Sequence, residues 1–157
     1  MTPDQTRIVQ ETWKQVVPIA DAAGELFYRR LFEIDPSTCE LFRATDMPAQ
    51  RRKVLQMLTV AVRGLDNLDA LASTVAELGR RHAGYGVTDA HFDSVGAALL
   101  WTLQQGLGEA WTPAVAAAWT AAYGFLSGIM RRTAVRNSAR TVRVASLLDQ
   151  AEPLQPT

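Results

Sequence analysis

The sequence predicts an all-α fold. Apolar residues recur at spacings of three and four along most of the chain, and nowhere do they alternate with period two over more than a few positions. Proline and glycine interrupt these stripes where helices would start and stop. One long stretch, Ala110 to Met130, carries no charge, which places a helix at the centre of a helical core with more polar helices laid across it.

Each element has a local cause. Thr2-Pro3-Asp4-Gln5 sets a capping hydroxyl, a proline at the first helical position and a Gln at the third, the signature of a helix start. Ile8, Val9, Trp13, Val16 and Val17 follow at helical spacing. From Ile19 the pattern continues through Ala23, Leu26, Phe27, Arg30, Leu31 and Ile34 until Asp35-Pro36 stops it, leaving at most a short helical turn from Ser37 to Phe42. Pro48 opens the next helix, whose apolar face is Val54, Leu55, Leu58 and Val62, and Gly64 to Asn67 ends it. Leu71, Val75, Leu78 and His82, spaced 4, 3 and 4, form one stripe that Gly84 and Gly86 break. Thr88-Asp89 caps a long helix through Val95, Leu99, Leu100, Leu103 and Leu107, closed by Gly106 and Gly108. Thr112-Pro113 starts the last core helix, expected to reach about Met130.

At 157 residues, with 48% hydrophobic and 20% charged residues, the chain is one ordinary globular domain. Sixteen basic and sixteen acidic residues cancel, which gives no global field to recruit nucleic acid or anionic lipid. Residues 1–130 hold 11 Lys/Arg against 14 Asp/Glu and residues 131–157 hold 5 against 2, so a slightly acidic body carries a basic tail. A single cysteine, Cys39, excludes an internal disulfide and fits a reducing, cytoplasmic setting; as a lone thiol it is expected to be a small buried apolar residue. Thr2-Pro3-Asp4 shows no apolar leader. The uncharged stretch followed by Arg131-Arg132 has the length of a membrane span, but its Ala, Thr and Gly content, with Pro113 and Ser127 inside it, reads as a helix buried on nearly all sides, and no membrane span is expected.

Candidate chemistry is sparse. There is no Cys/His cluster for zinc, no nucleophile with a recognisable acyl-transfer context, no Gly-rich phosphate loop and no internal repeat. Of the two histidines, His82 ends an apolar stripe just before a Gly-rich turn, so its ring should face the interior. Taken alone it is either a core histidine satisfied by a backbone carbonyl or a ligand. His91, between Asp89 and Asp93, reads as a partly solvated surface residue. Arg80 and Arg81 read as a solvated face or as cations at the rim of a pocket for an anionic group.

The order of landmarks resembles the globin family from about Ile8 to Met130. Three stretches carry the resemblance. One is Asp35-Pro36 with Phe42 six residues after the proline, and another is Leu78-Gly79-Arg80-Arg81-His82 followed by Gly86-Val87. The last runs from Phe92-Asp93-Ser94-Val95-Gly96 through Leu107-Gly108 and Thr112-Pro113 to Trp119 and Tyr123-Gly124, similar to single-domain bacterial globins, flavohaemoglobins and neuroglobin-like proteins.

The resemblance implies a haem b cofactor with His82 as the proximal iron ligand. It implies distal, ligand-facing roles for Tyr28, fourteen residues before Phe42, and Gln50, thirty-two before His82. Val54 should narrow the ligand pocket, Phe42 and Val87 should sandwich the porphyrin, and Phe92, Val95 and Tyr123 should lie close to it. Lys53, Arg80 and Arg81 become candidates for the propionates, and the carbonyl of Leu78 the expected partner of the imidazole. With Gln50 in place of a histidine, a two-histidine resting state is not expected. Flavohaemoglobins support the proximal histidine with a Tyr and a Glu; here those stretches read Phe92 and Thr133-Ala134-Val135-Arg136, which argues against peroxidase-like chemistry.

Residues 1–130 would then form the haem-binding domain and 131–157 an Arg-rich extension, partly helical or disordered. The extension is either a solvated tail or a docking site for a reductase or second subunit. The implied functions, in order, are reversible binding of oxygen (with carbon monoxide and nitric oxide as further ligands) for storage, transport or delivery, nitric oxide dioxygenation with a separate reductase, and gas sensing; a haem-free helical module comes last. A monomer or weak homodimer is expected.

Overall fold

The computed structural model describes the backbone of residues 1–84 and 86–150 and the side chains of residues 1–82 and 86–133. Among them are six α-helices and no strand: α1 (Pro3–Val16), α2 (Ala20–Ile34), α3 (Met47–Arg63), α4 (Leu68–Gly84), α5 (Asp89–Leu107) and α6 (Pro113–Gln150), with a 3-10 turn over Pro36–Phe42.

Local chemistry sets most of the boundaries. Thr2 Oγ1 accepts from the Gln5 N–H at 3.1 Å while Gln5 Oε1 accepts from the Thr2 N–H at 3.0 Å, closing a reciprocal cap on α1. The Asp35 carboxylate takes the Ser37 N–H at 3.1 Å and starts the 3-10 turn, and Asp46 caps α3. Gly108, at φ +54°, turns the chain out of α5 in a region that disfavours side chains. A 3-10 turn over Val17–Ile19, at Pro18, separates α1 from α2 and rotates the chain out of register, leaving Val17 and Ile19 49% and 40% exposed instead of in the core stripe. Cys39 is likewise exposed, not buried.

Packing centres on α6, which lies against α1, α4 and α5, while α2 packs on α5 and α3. The inner face of α6 presents Val115, Ala118, Trp119 and Ala122 to the core. Trp119 and Trp13 meet at 5.8 Å, and their indole N–H groups donate to Thr12 and Thr59, so both large rings are buried without an orphan donor. Two expectations for this helix change. It does not end near Met130 but runs unbroken to Gln150, because residues 131–150 contain neither Gly nor Pro. It is also less enclosed than expected: Pro113–Thr133 is long and apolar enough to cross a membrane, 28% of its most apolar window is buried, and Ala114, Ala117 and Gly124 are exposed. The side chains of Arg136, Arg140 and Arg143 and all of residues 151–157 lie outside the described residues, and both readings of the tail lie there with them.

The turn Gly64–Asp66 joins α3 to α4, yet among the described residues these two helices do not pack along each other. Helix α3 is held by α2 and α1, whereas α4 is held by α6. These sequence neighbours are thus bound to different partners. The α4–α6 contact is close because Gly79 has no side chain: a Cβ there would lie 2.9 Å from the Met130 Cα and 3.0 Å from the Thr133 Cβ.

Opposite outcomes are therefore expected for alanine at two helical glycines. Helix propensity favours alanine by about 1 kcal/mol at either position. At Gly124, where a Cβ meets nothing within 4 Å, that gain should appear as a melting temperature raised by about 2–4 °C. At Gly79 the clash is with backbone, overpacking costs about 1–3 kcal/mol, and the melting temperature should fall. Thermal melts of both variants check the sign.

Candidate functional site

Two clusters of sequence-predicted residues come together. The first joins α2, the 3-10 turn and the first turns of α3. Tyr28 is buried on α2, and its hydroxyl accepts a hydrogen bond from the Gln50 amide at 3.2 Å. The Phe42 ring stands edge-on to Tyr28 at 5.2 Å, and Val54, one turn beyond Gln50, shares its face of α3. Phe32, which carried no sequence signal, completes the group at 6.0 Å from Tyr28 and 5.9 Å from Phe42. In this geometry the amide is the donor and the phenol the acceptor, so the phenol's own hydrogen remains free for another acceptor.

The second cluster joins α4, α5 and α6. His82 is half-buried, and its Nδ1 lies 2.7 Å from the Leu78 carbonyl, the partner expected for it. A carbonyl only accepts, so this bond places the proton on Nδ1 and leaves the Nε2 lone pair bare. Val87 ties its N–H to the His82 carbonyl at 3.3 Å. Phe92 is buried with its ring 6.3 Å from the imidazole, and Tyr123 donates from α6 to the Phe92 carbonyl. Val95 is half-buried on α5.

The remaining candidates stay outside both clusters. Lys53 and Arg81 are exposed, and Arg80 is engaged with Glu77 one turn earlier. His91 is committed to a different task. Its Nδ1 accepts the Thr88 N–H at 3.0 Å and its Nε2 lies 3.3 Å from Ser37 Oγ, within a polar group that also includes Asp35 and Ser94. Hydrogen bonds from Ser37 first, then Ser94, hold the Asp35 carboxyl below the usual range.

Sequence reading missed Arg131. It reaches from α6 to Asp89 at 3.1 Å and Asp93 at 2.6 Å and stands over the Phe92 ring. The one available clue was Asp89 and Asp93 at i, i+4, which share a face of α5.

The donor set fits the haem that the sequence resemblance implies. A neutral imidazole with one nitrogen fixed by a carbonyl could offer the other to an iron. Half-buried apolar groups, Phe42 and Val54 in the first cluster and Val95 in the second, suit a flat apolar ring, and α3 and α4 are packed on different partners rather than on each other.

A family model described as Globin matches residues 25–130. The chain belongs to the globin family. This globin is 31% identical over 135 residues to a flavohemoprotein from Vibrio cholerae, a match covering 82% of the chain but only 33% of that much longer relative. It is 30% identical over 143 residues to neuroglobin from Danio rerio, covering 83% of this globin and 90% of the relative. Its fold matches a crystal structure described as a hexacoordinated heme protein from an anhydrobiotic tardigrade, with a TM-score of 0.77 at 20% identity over 85% of this chain and 94% of the other.

The buried phenols give this globin a pH signature. Burial holds Tyr28 above its ordinary value, with the Gln50 hydrogen bond acting against it, and burial raises Tyr123 as well. The folded chain thus keeps protons that the unfolded chain releases above about pH 10. Their contribution is full below that pH and is lost as the pH rises. In Tyr28→Phe the urea midpoint should fall less between about pH 9 and about pH 11 than in the wild type; an identical fall would show that the phenol is not held in its protonated form.

Proposed function

We propose that this globin holds a haem between α3 and α4, with the iron bound by His82, and binds oxygen reversibly on the Tyr28 side. The observation that carries the reading is the Gln50–Tyr28 hydrogen bond, in which a buried phenol is oriented by an amide and keeps a hydrogen to donate. The relatives named for haem support the cofactor. Storage or delivery of oxygen, rather than its turnover, is favoured by Phe92, which leaves no hydroxyl beside the imidazole at that position. The three helices packed on α6 support its role as a core helix rather than a membrane span.

A haem would supply a ferrous centre that places negative charge on dioxygen and little on carbon monoxide. The chain's own groups do the rest. Leu78 fixes the His82 tautomer so that no proton competes for Nε2. Tyr28 donates to a ligand that carries charge, and in a buried setting that bond is worth more than in water. Gln50 holds the phenol in place, and Phe42 and Phe32 exclude water from it.

A hydrogen bond to a charged acceptor is worth roughly 1.5–3 kcal/mol, so Tyr28→Phe should speed oxygen dissociation roughly 10- to 150-fold. Carbon monoxide dissociation should change far less, which separates the lost hydrogen bond from a change in pocket shape. Gln50→Leu should act in the same direction, and the double variant should show less than the product of the two effects. Stopped-flow dissociation of both ligands checks this; equal acceleration of both, or none for oxygen, would overturn the assignment of Tyr28.

A further inference from the structure

One turn of α6, Met130 to Thr133, touches both α4, which carries His82, and α5, which carries Phe92. On one side it meets Gly79, three residues before His82, where a Cβ would come within 2.9 Å of the Met130 Cα. On the other side Arg131 reaches α5, pairing with Asp89 through Nη1 at 3.1 Å and with Asp93 through Nη2 at 2.6 Å. Its guanidinium carbon stands 5.6 Å from the centre of the Phe92 ring. The Phe92 ring in turn stands 6.3 Å from the His82 ring at an interplanar angle of 39°. Two turns earlier in α6, Tyr123 donates to the Phe92 carbonyl and lies so close to α5 that a Cβ on Gly96 would be 2.9 Å from its ring.

We infer that Arg131 is a positioning residue for His82, acting through Phe92, and that its charge sets the balance between the oxidised and reduced forms of the bound group; this rests on the haem reading above. Phe92 has no polar atom in its side chain, so nothing but packing fixes its ring. Tyr123 fixes its backbone, and the guanidinium, anchored on two carboxylates, closes over the ring and limits where it can move. The imidazole is held by the Leu78 carbonyl at one nitrogen and by this ring beside it. Exposed ion pairs contribute little to stability on their own, and Asp89 and Asp93 are 77% and 73% exposed. Arg131 itself is only 27% exposed, however, and its two anchors act on one plane, which makes it a geometric device more than a stabilising one.

The charge has a direction as well. With Arg131 present, its cluster with Asp89 and Asp93 carries a net single negative charge; without it, two unneutralised carboxylates remain on α5, the helix that carries Phe92. Added negative charge around a metal site favours the oxidised metal. Removing the guanidinium should therefore lower the reduction potential, and neutralising Asp93 should raise it.

The test compares Arg131→Met, Arg131→Lys and Asp93→Asn by two readouts. In the haem-free protein, proton NMR of the His82 ring reports its position against Phe92 without any cofactor. In the haem-loaded protein, the midpoint potential reports the charge. Arg131→Met should shift the His82 resonances and lower the potential. Arg131→Lys should restore the potential, and Asp93→Asn should move it upward. Wild-type His82 resonances and potential in Arg131→Met, or equal potential shifts for Met and Lys, would overturn the inference. Should Arg131→Met fail to fold, an unchanged potential in Asp93→Asn overturns it instead. Should the wild type take up no haem, the pocket reading fails, and the His82 resonances of the three variants still decide the positioning role.

Discussion

Gly79 lets α4 lie directly on α6, and the site depends on that contact. The chain leaves α3 through a turn of three residues, so the simplest packing would set α4 back against α3. A backbone-to-backbone approach at Met130 gives α4 a better partner, while α3 is held by α2 and α1. That two helices adjacent in sequence do not pack along each other is thus a product of where each buries its apolar stripe. His82 and Gln50 belong to these two helices.

Polar groups around the site obey one rule, that a buried donor or acceptor needs a partner. Tyr28 and His82 each receive one, Gln50 and the Leu78 carbonyl, and in both cases the partner leaves the group with a single function unspent. The phenol keeps a hydrogen and the imidazole keeps a lone pair. The two residual functions are complementary in kind, a hydrogen and a lone pair, and the proposed haem would draw on both. His91 shows the contrast. Both of its nitrogens are engaged at the surface, one on a helix cap and the other near Ser37, and it has nothing left to offer.

The sequence makes legible those features that rest on local chemistry. The Thr2-Gln5 cap, the Asp35-Pro36 stop and the Thr112-Pro113 start lie where they do because their side chains or rings act on backbone within a few residues. The Leu78–His82 bond was legible for the same reason, being one helical turn. Features set by distant packing were not. Val17 and Ile19 fit the apolar stripe on paper, but the 3-10 turn at Pro18 changes the period and turns them outward. The length of α6 stayed open in the sequence because the Arg-rich composition after Met130 fits a helical extension as well as a solvated tail, although nothing there breaks a helix. Arg131 and Phe92 are 39 positions apart, and no local pattern joins them.

His82 is the proposed sole anchor of a haem held between α3 and α4. Titration of haem into His82→Gly, with and without added imidazole and beside His91→Ala, tests it most directly. A saturating Soret band at one haem per chain is expected in the wild type and in His91→Ala. A lost or weakened band is expected in His82→Gly, with recovery when free imidazole occupies the space left by the ring. A full-strength band in His82→Gly without imidazole would contradict it.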